Sequence, residues 1–239
     1  WCALDRPVSL MLGPDETLSG DVDAIAREFE EQTIFQWRRW TRRLALPLEW
    51  QDAVIRAAIT LKLCQYEDTG AIVAALTTSV PEAPDSGRNW DYRYCWLRDA
   101  FFVVRALNSL SEVGTMEDYL RWLGNVVAKA GEGHIQPLYG IGLEHELPEY
   151  IVPHMAGYRG MGPGRVGNQA TEHFQHDVYG NIVLGAAQAF HDRRLLHPAG
   201  SAEFARLEKI GALAVQVYGQ PDAGMCGISE ALRIHATPT

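Results

Sequence analysis

The order of apolar and polar residues along the chain predicts a mainly helical protein. In residues 20–46 the apolar side chains recur at roughly helical spacing, with Asp21 or Asp23 placed to cap a helix and Pro47 placed to end it. A second helical pattern covers residues 49–66, where small residues favour close packing against a neighbouring helix. We therefore predict two helices in this part of the chain.

The later part of the chain shows further helical patterns at residues 100–110, 116–130, 172–190 and 201–218. Residues 131–170 differ, because they have little periodicity and are rich in glycine, proline and aromatic side chains. A loop of this length inside a compact domain is normally functional or disordered, and this one is too apolar for disorder. Because strand–helix alternation is absent, we predict helices packed in pairs, with long loops at one end carrying the site.

The N-terminal residues 1–18 have the pattern of a short strand followed by a turn. Residues 8–12 are apolar and strand-like, and a Gly-Pro-Asp turn follows them. One strand cannot form a stable sheet alone. This strand is therefore expected either to join the helical domain or to be the last strand of a domain that precedes it.

Composition and charge narrow the class of protein. The 239 residues are enough for one sizeable domain, and the 47% hydrophobic and 21% charged residues are typical of a soluble globular protein. The net charge of -9 argues against a nucleic-acid partner, since phosphate binding requires a basic surface. No run of about 18 apolar residues is present, so we expect no transmembrane helix and no membrane partner.

The four cysteines, Cys2, Cys64, Cys95 and Cys226, are widely separated. They form no C-x-x-C pair and no cluster with histidine at zinc spacing, so we predict no metal site. So few cysteines in a chain of this length do not indicate a disulfide framework. We expect them to be reduced and mostly buried, which favours a cytoplasmic protein.

The densest chemical feature is residues 88–99, which we call the signature segment. It contains four aromatic residues, three arginines and two aspartates. Sugars present hydroxyl groups at their edges and apolar C–H faces, which suit charged hydrogen-bonding groups and planar rings respectively. The alternative is a structural network of arginine and aspartate with core aromatics. The density of these groups, where a loop enters a helix, favours a sugar-binding site.

The signature segment resembles that of glycoside hydrolase family 15, which includes glucoamylases, glucodextranases and some bacterial trehalases. The resemblance extends through residues 50–82, 137–160 and 167–180, and so covers most of the chain. It implies an all-α fold of the (α/α)6 toroid type. In many bacterial members this barrel is preceded by a β-sandwich and a linker helix.

The resemblance also implies a domain organisation. Residues 1–18 would be the residual strand of an N-terminal β-sandwich, residues 19–47 the linker helix and residues 48–239 a partial (α/α)6 catalytic domain. A complete barrel needs more helices than this sequence holds, so we expect about half of it. The chain would then be a fragment, a degenerate gene product or a domain that another chain completes. Half a toroid leaves helix faces uncovered, which predicts self-association.

By the same resemblance, Arg98 and Asp99 would hold hydroxyl groups of a terminal glucose, while Trp96 and Tyr92 shape the pocket. The remaining sugar-binding candidates of the signature segment are Trp90 and Asp91.

Residues 168–180 resemble a family stretch that lines the sites around the scissile bond, and their candidates are His173, Gln175 and Asp177. Helix capping and core hydrogen bonding at the start of that helix are the alternative roles. Residues 139–149 carry several glutamates. Since the similar family loop does not hold the catalytic pair, we assign this loop to structure and to the pocket wall.

The catalytic acid is the weak point of the resemblance. Family enzymes invert the anomeric centre with one carboxylic acid and one carboxylate base. The acid normally follows a turn that corresponds here to residues 221–224, and its position is occupied by Gly227. Glu230 lies three residues later and is a weak substitute. The general base of the family lies beyond residue 239.

Two functions therefore stay open from the sequence. The first is inverting exo-hydrolysis of α-glucosides such as maltooligosaccharides or trehalose, without metal or organic cofactor, because two carboxylates and water suffice. The second is a non-catalytic carbohydrate-binding or regulatory homologue that keeps the pocket without turnover, which Gly227 favours. Both predict an α-glucoside or oligosaccharide as the partner.

Overall fold

The computed structural model describes residue 5 and residues 7–14, 17–131, 133–224 and 234–235. The chain divides into two compact units, Trp1–Leu46 and Pro47–Thr239.

The first unit contains one long helix, α1 (Val22–Thr41), which confirms the helix predicted there. Asp21 caps it, since its carboxylate accepts a hydrogen bond from the backbone amide of Ala24 (3.1 Å). The strand predicted at residues 8–12 is not observed, because residues 7–14 adopt no regular secondary structure. A strand forms only when another strand supplies its backbone partners, and no such partner pairs with these residues in the described part of the unit.

The second unit is built mainly from helices, which confirms the prediction of a predominantly helical domain. Its α-helices are α2 (Gln51–Leu63), α3 (Leu97–Ser109), α4 (Gly114–Ala130), α5 (Asp177–Ala187) and α6 (Ser201–Val217). Two 3-10 turns, Gln169–Glu172 and Gln188–Phe190, flank α5. The single helix predicted over residues 172–190 is therefore divided into three pieces. None of the described helices is long and apolar enough to cross a membrane.

Short antiparallel strand pairs lie in the segments between and after the helices. They are β1 (Gln65–Tyr66) with β2 (Ala71–Ile72), β3 (Cys95–Trp96) with β4 (Leu138–Tyr139), β5 (Tyr150–Ile151) with β6 (Arg165–Val166), and β7 (Pro221–Asp222) with β8 (Ile234–His235). In the second pair Cys95 lies opposite Tyr139 and Trp96 opposite Leu138. Because α3 begins directly after β3, this pairing places the first turn of α3 against the long loop.

The hydrophobic core lies where α3 packs against α4 and α5, and α6 packs on α5. Leu97 and Leu107 of α3 are completely buried, and Trp122 of α4 and Ile182 of α5 are each 1% exposed. Cys95 is a free thiol in this core, and burial raises its pKa to about 12, so it is inert at neutral pH. Cys2 and Cys226 lie outside the described residues.

Candidate functional site

The signature segment begins as one side of an extended ribbon. Residues 88–94 run antiparallel to residues 74–82, joined by backbone hydrogen bonds such as that from Ala75 N to the carbonyl of Tyr92 (2.9 Å). Side chains alternate between the two faces of extended chain. Asn89 and Asp91 accordingly point into the protein and are completely buried.

The buried side chains of the ribbon anchor the long loop. Nδ2 of Asn89 donates hydrogen bonds to the carbonyls of Met161 (2.8 Å) and Pro163 (3.1 Å). Both oxygens of Asp91 accept from Arg93, Oδ1 from Nε and Oδ2 from Nη2, each at 2.9 Å. This bidentate pair gives each carboxylate oxygen a charged hydrogen-bond donor. It thereby offsets the free-energy cost of burying the negative charge.

The other face of the ribbon carries the aromatic side chains. Nε1 of Trp90 and the hydroxyl of Tyr92 both donate to Oε1 of Glu82, at 3.0 and 3.3 Å. The rings of Tyr92 and Trp96 lie 5.9 Å apart, and Trp96 is only 8% exposed. Burial raises the pKa of Tyr92, and the negative charge of Glu82 raises it further. Glu82 was not among the residues predicted from the sequence.

Trp90 is also covered by positive charge. The guanidinium carbon of Arg165 lies 5.3 Å from the centre of its ring, and that of Arg88 lies 5.8 Å away. Both distances allow cation–π attraction. The indole is therefore tied to the ribbon and to β6 as well as to Glu82.

The first turns of α3 and α5 meet at Arg98. Its Nη1 donates to Oδ2 of Asp177 at 2.9 Å and to Oε1 of Gln175 at 3.2 Å. Nδ2 of Asn181, one turn along α5, also donates to Oδ2 of Asp177 (3.0 Å). Gln175 is buried and Arg98 is partly buried. The two sequence elements predicted to form one site are thus in direct contact.

Asp99 lies beside this junction, in the first turn of α3. Asp99 as a whole is exposed to solvent, but the protein around it partly desolvates its carboxyl group. This desolvation raises the pKa of the carboxyl. The neighbouring positive charge of Arg98 opposes that shift, while the negative charge of Asp177 adds to it. Two carboxylates therefore lie near one guanidinium, and Asp99 is open to a hydrogen-bond donor from solvent or ligand.

His173 lies just before α5 and takes a different position from Gln175 and Asp177. Its Nδ1 is buried and has no hydrogen-bond partner among the described residues. Sequence reasoning missed the neighbouring His134, whose ring stacks on Phe174 at 4.3 Å and whose Nδ1 lies 3.3 Å from the hydroxyl of Tyr179. His134 comes from the long loop, where no periodicity indicated what it contacts.

The turn at residues 221–224 lies against the start of α5. Oδ2 of Asp222 accepts a hydrogen bond from the backbone amide of His176 (2.9 Å), and the amide of Ala223 donates to the carbonyl of Phe174 (2.9 Å). The chain is thus brought beside the Arg98 junction before residue 225. Gly227 and Glu230, the positions discussed for the catalytic acid, lie outside the described residues.

Two glutamates of the loop at residues 139–149 have partners within the protein. Oε2 of Glu144 accepts from the amide of Gly142 (3.0 Å), and Glu149 forms an ion pair with Arg165 (2.7 Å). Within the described residues, no group of three or more histidine, cysteine, aspartate or glutamate side chains is arranged to hold a metal ion.

Comparison with known proteins gives consistent matches. Residues 50–225 match the family described as Glycosyl hydrolases family 15. A trehalase of Mycolicibacterium smegmatis is 40% identical over 155 residues, which are 64% of this chain and 23% of that protein. A trehalase of Thermoplasma volcanium is 37% identical over 153 residues, which are 64% of this chain and 24% of that protein.

A third relative, trehalase 1 of Sulfolobus acidocaldarius, is 36% identical over 133 residues, which are 55% of this chain and 24% of that protein. The chain thus spans about a quarter of the length of the curated relatives it matches. No solved structure matches it.

Proposed function

This chain belongs to glycosyl hydrolase family 15, as the resemblance of its sequence predicted. From that membership we propose that it carries part of a glycosidase site. This part binds the terminal glucose of an α-glucoside such as trehalose or a maltooligosaccharide. The observation that carries this proposal is the junction at Arg98, where two remote elements bring a guanidinium, two carboxylates and an amide together beside open solvent.

The chemistry of the junction suits a sugar. A carboxylate accepts hydrogen bonds from vicinal hydroxyls, and such charged bonds are stronger than neutral ones. Asp99 is an exposed residue that supplies such a carboxylate, while Arg98 is held in place by Asp177 and Gln175. A side chain held in one conformation before binding loses less entropy when the ligand arrives.

The candidate residues divide by role in this proposal. Arg98 and Asp99 contact the glucose hydroxyls, Tyr92 and Trp96 form an apolar wall, and Gln175, Asp177 and His173 line the adjoining surface. Asp91 supports the ribbon from inside, because both its oxygens are bound to Arg93. Trp90 supports the wall, because it is bound to Glu82 and lies against two guanidinium groups.

Hydrolysis is the finer part of the proposal. The relatives are named trehalases, which favours inverting hydrolysis of an α-glucoside in the protein to which this site belongs. Inversion requires an acid and a base roughly 6.5–9.5 Å apart, with a water between base and sugar. The glycine at position 227 favours the alternative that this chain binds carbohydrate without turnover.

Binding can be tested on the 239-residue chain by calorimetric titration with trehalose and with maltose. Asp99→Ala removes a charged acceptor, so we expect affinity to fall about tenfold or more. Asp52→Ala is the matched control, because Asp52 is also an exposed aspartate in the first turn of a helix. Equal affinities for the unmutated chain and Asp99→Ala would remove Asp99 from the site.

Turnover is a separate measurement. Incubation of the chain with trehalose, maltose and dextrin, followed by a glucose assay, distinguishes the two functions. We expect binding without glucose release if Gly227 has replaced the acid. Glucose release that disappears in Asp99→Ala would establish hydrolysis by the chain and exclude the non-catalytic alternative.

A further inference from the structure

We propose that Glu82 is a positioning residue of this site, which acts by holding Tyr92 of the sugar-facing wall and its supporting residue Trp90 in one orientation. This inference rests on the proposed function, because it assigns a supporting role within the same site. Neither the family match nor the signature segment assigns a role to Glu82.

Three donors of the signature segment converge on the Glu82 carboxylate. Oε1 accepts from Nε1 of Trp90 (3.0 Å) and from the hydroxyl of Tyr92 (3.3 Å). Oε2 accepts from Nε of Arg88 and forms an ion pair with it. The backbone amide of Glu82 also donates to the carbonyl of Arg88 (3.1 Å), which closes the end of the ribbon.

A carboxylate suits this position for a chemical reason. The indole N–H and the guanidinium can only donate, and an ionised carboxylate can only accept, with two oxygens that each take more than one bond. An amide at the same place would present a single acceptor oxygen. It would have to give up either Arg88 or the two aromatic donors.

Glu82 is expected to contribute little to the free energy of unfolding, so a positioning role can be measured apart from a role in folding. Its side chain is 38% exposed and that of Arg88 is 44% exposed. Ion pairs this open to water add little to folding, because solvent screens them and the long side chains lose entropy. The convergence of three donors on one exposed carboxylate is therefore better explained by a need to orient the aromatic rings.

The link from Glu82 to the sugar-binding residues runs through Tyr92. The Tyr92 ring packs against Trp96 with an interplanar angle of 44°. The negative charge of Asp99 is one of the causes that raise the pKa of the Tyr92 phenol. A hydrogen bond from the hydroxyl to Glu82 therefore restricts the orientation of the Tyr92 ring against Trp96, the residue that directly precedes α3 and its Arg98 and Asp99.

The test is a double-mutant cycle on the 239-residue chain, with trehalose affinity measured by calorimetry. Glu82→Gln should weaken binding about fivefold to tenfold, the effect of one oriented hydrogen bond. In the Tyr92→Phe background the same change should have a clearly smaller effect, because the hydroxyl that Glu82 holds is gone. Glu203→Gln is the control, since it also removes an exposed glutamate paired with an arginine, and it should not change affinity.

A spectroscopic measurement tests the contact itself. Glu82 raises the pKa of Tyr92 through its charge and its hydrogen bond. Glu82→Gln should therefore lower that pKa, as followed by NMR titration of 13C-labelled tyrosine with Tyr92→Phe to assign the signal. An unchanged Tyr92 titration would show that the hydroxyl does not lie against the Glu82 carboxylate and would reject the inference.

The outcomes distinguish this inference from the proposal on which it rests. If the unmutated chain binds no sugar, the proposed function fails and this role fails with it. If the unmutated chain and Glu82→Gln bind trehalose equally, only the role of Glu82 is rejected. If circular dichroism shows that Glu82→Gln does not fold, Tyr92→Phe decides, because it breaks the same bond from the other side: weaker binding supports the role and unchanged binding rejects it.

Discussion

The carboxyl group of Asp99 is placed where binding and stability make opposite demands. Its pKa is raised above the usual 3.8, chiefly because the surrounding protein partly desolvates it. A carboxyl whose pKa is higher in the folded state binds protons more tightly there than in the unfolded chain. The free energy of unfolding therefore falls as pH rises from the unfolded pKa through the folded one, and stays lower above it.

Asp99→Asn should separate these two demands. The neutral amide avoids the desolvation cost of the charge, but it also loses a favourable interaction with the helix N-terminus. Asp52→Asn, in the first turn of α2, loses only the interaction of the charge with the helix N-terminus. At about pH 7 we expect a higher melting temperature for Asp99→Asn than for Asp52→Asn, and the difference should shrink below about pH 4. Trehalose affinity should nevertheless fall about tenfold. A lower melting temperature for Asp99→Asn than for the control at neutral pH would contradict this expectation.

At the scale of elements, Asn168 closes the long loop on itself and ties it to the ribbon. The amide of Asn168 donates to the carbonyl of Leu147 (3.0 Å), and Nδ2 of Asn168 donates to the carbonyl of Asp91 (3.0 Å). Gly167 makes this approach feasible, with φ of +84° and no side chain. A Cβ there would lie 1.9 Å from the carbonyl oxygen of Pro148, which is far inside van der Waals contact.

Gly167→Ala should therefore cost much more stability than Gly87→Ala. Gly87 also has a positive φ, of +69°, but a Cβ there would meet no atom within 4 Å. Backbone strain alone should cost Gly87→Ala about 1–2 kcal/mol. The added clash should bring Gly167→Ala to about 3 kcal/mol or more. Urea unfolding of the two variants measures this difference. Equal losses would mean that the loop can move away from Pro148 at little cost.

At the scale of the whole molecule, the helices of the second unit present apolar side chains to solvent. Phe102 of α3 is 56% exposed, Leu184 of α5 is 62% exposed and Val215 of α6 is 70% exposed. Exposed apolar side chains on helices that pack against one another are candidates for an interaction surface. The self-association predicted from the sequence remains a prediction, and these exposed residues indicate which surface of the chain would take part in it.

Association should depend on the exposed side chains of α5 and α6. In sedimentation velocity we expect the sedimentation coefficient of the chain to rise with concentration. Leu184→Gln combined with Val215→Gln should reduce that rise, because it removes apolar surface without touching the buried core. Leu10→Gln is the control, since Leu10 is 91% exposed in the first unit and lies on no helix. A concentration-independent coefficient for the unmutated chain would reject the prediction.

The sequence by itself determined the helices, the chemical character of the signature segment and the family. Helical periodicity is local, so every predicted helical region proved helical in the described structure. The ends were less predictable. The helix predicted from residue 172 begins as α5 at Asp177, where Asp222 from a distant turn binds the amide of His176. The strand predicted at residues 8–12 is not formed in the described residues, because strand formation depends on a partner that the pattern of one segment cannot reveal.

Only the tertiary structure decided which polar groups face each other. Arg98 and Asp177 are 79 positions apart, and their pairing follows from the packing of α3 on α5. Asp91, a sugar-binding candidate in the sequence, pairs with Arg93 only two positions away, but its complete burial depends on how the ribbon packs against the rest of the domain. Glu82 was not predicted from the sequence, because what distinguishes it is the set of hydrogen-bond donors that the ribbon places around its carboxylate. A residue's chemical type is written in the sequence, but its burial and its partners depend on how the chain folds, and these distinguish the buried Asp91 from the exposed Asp99 in the candidate site.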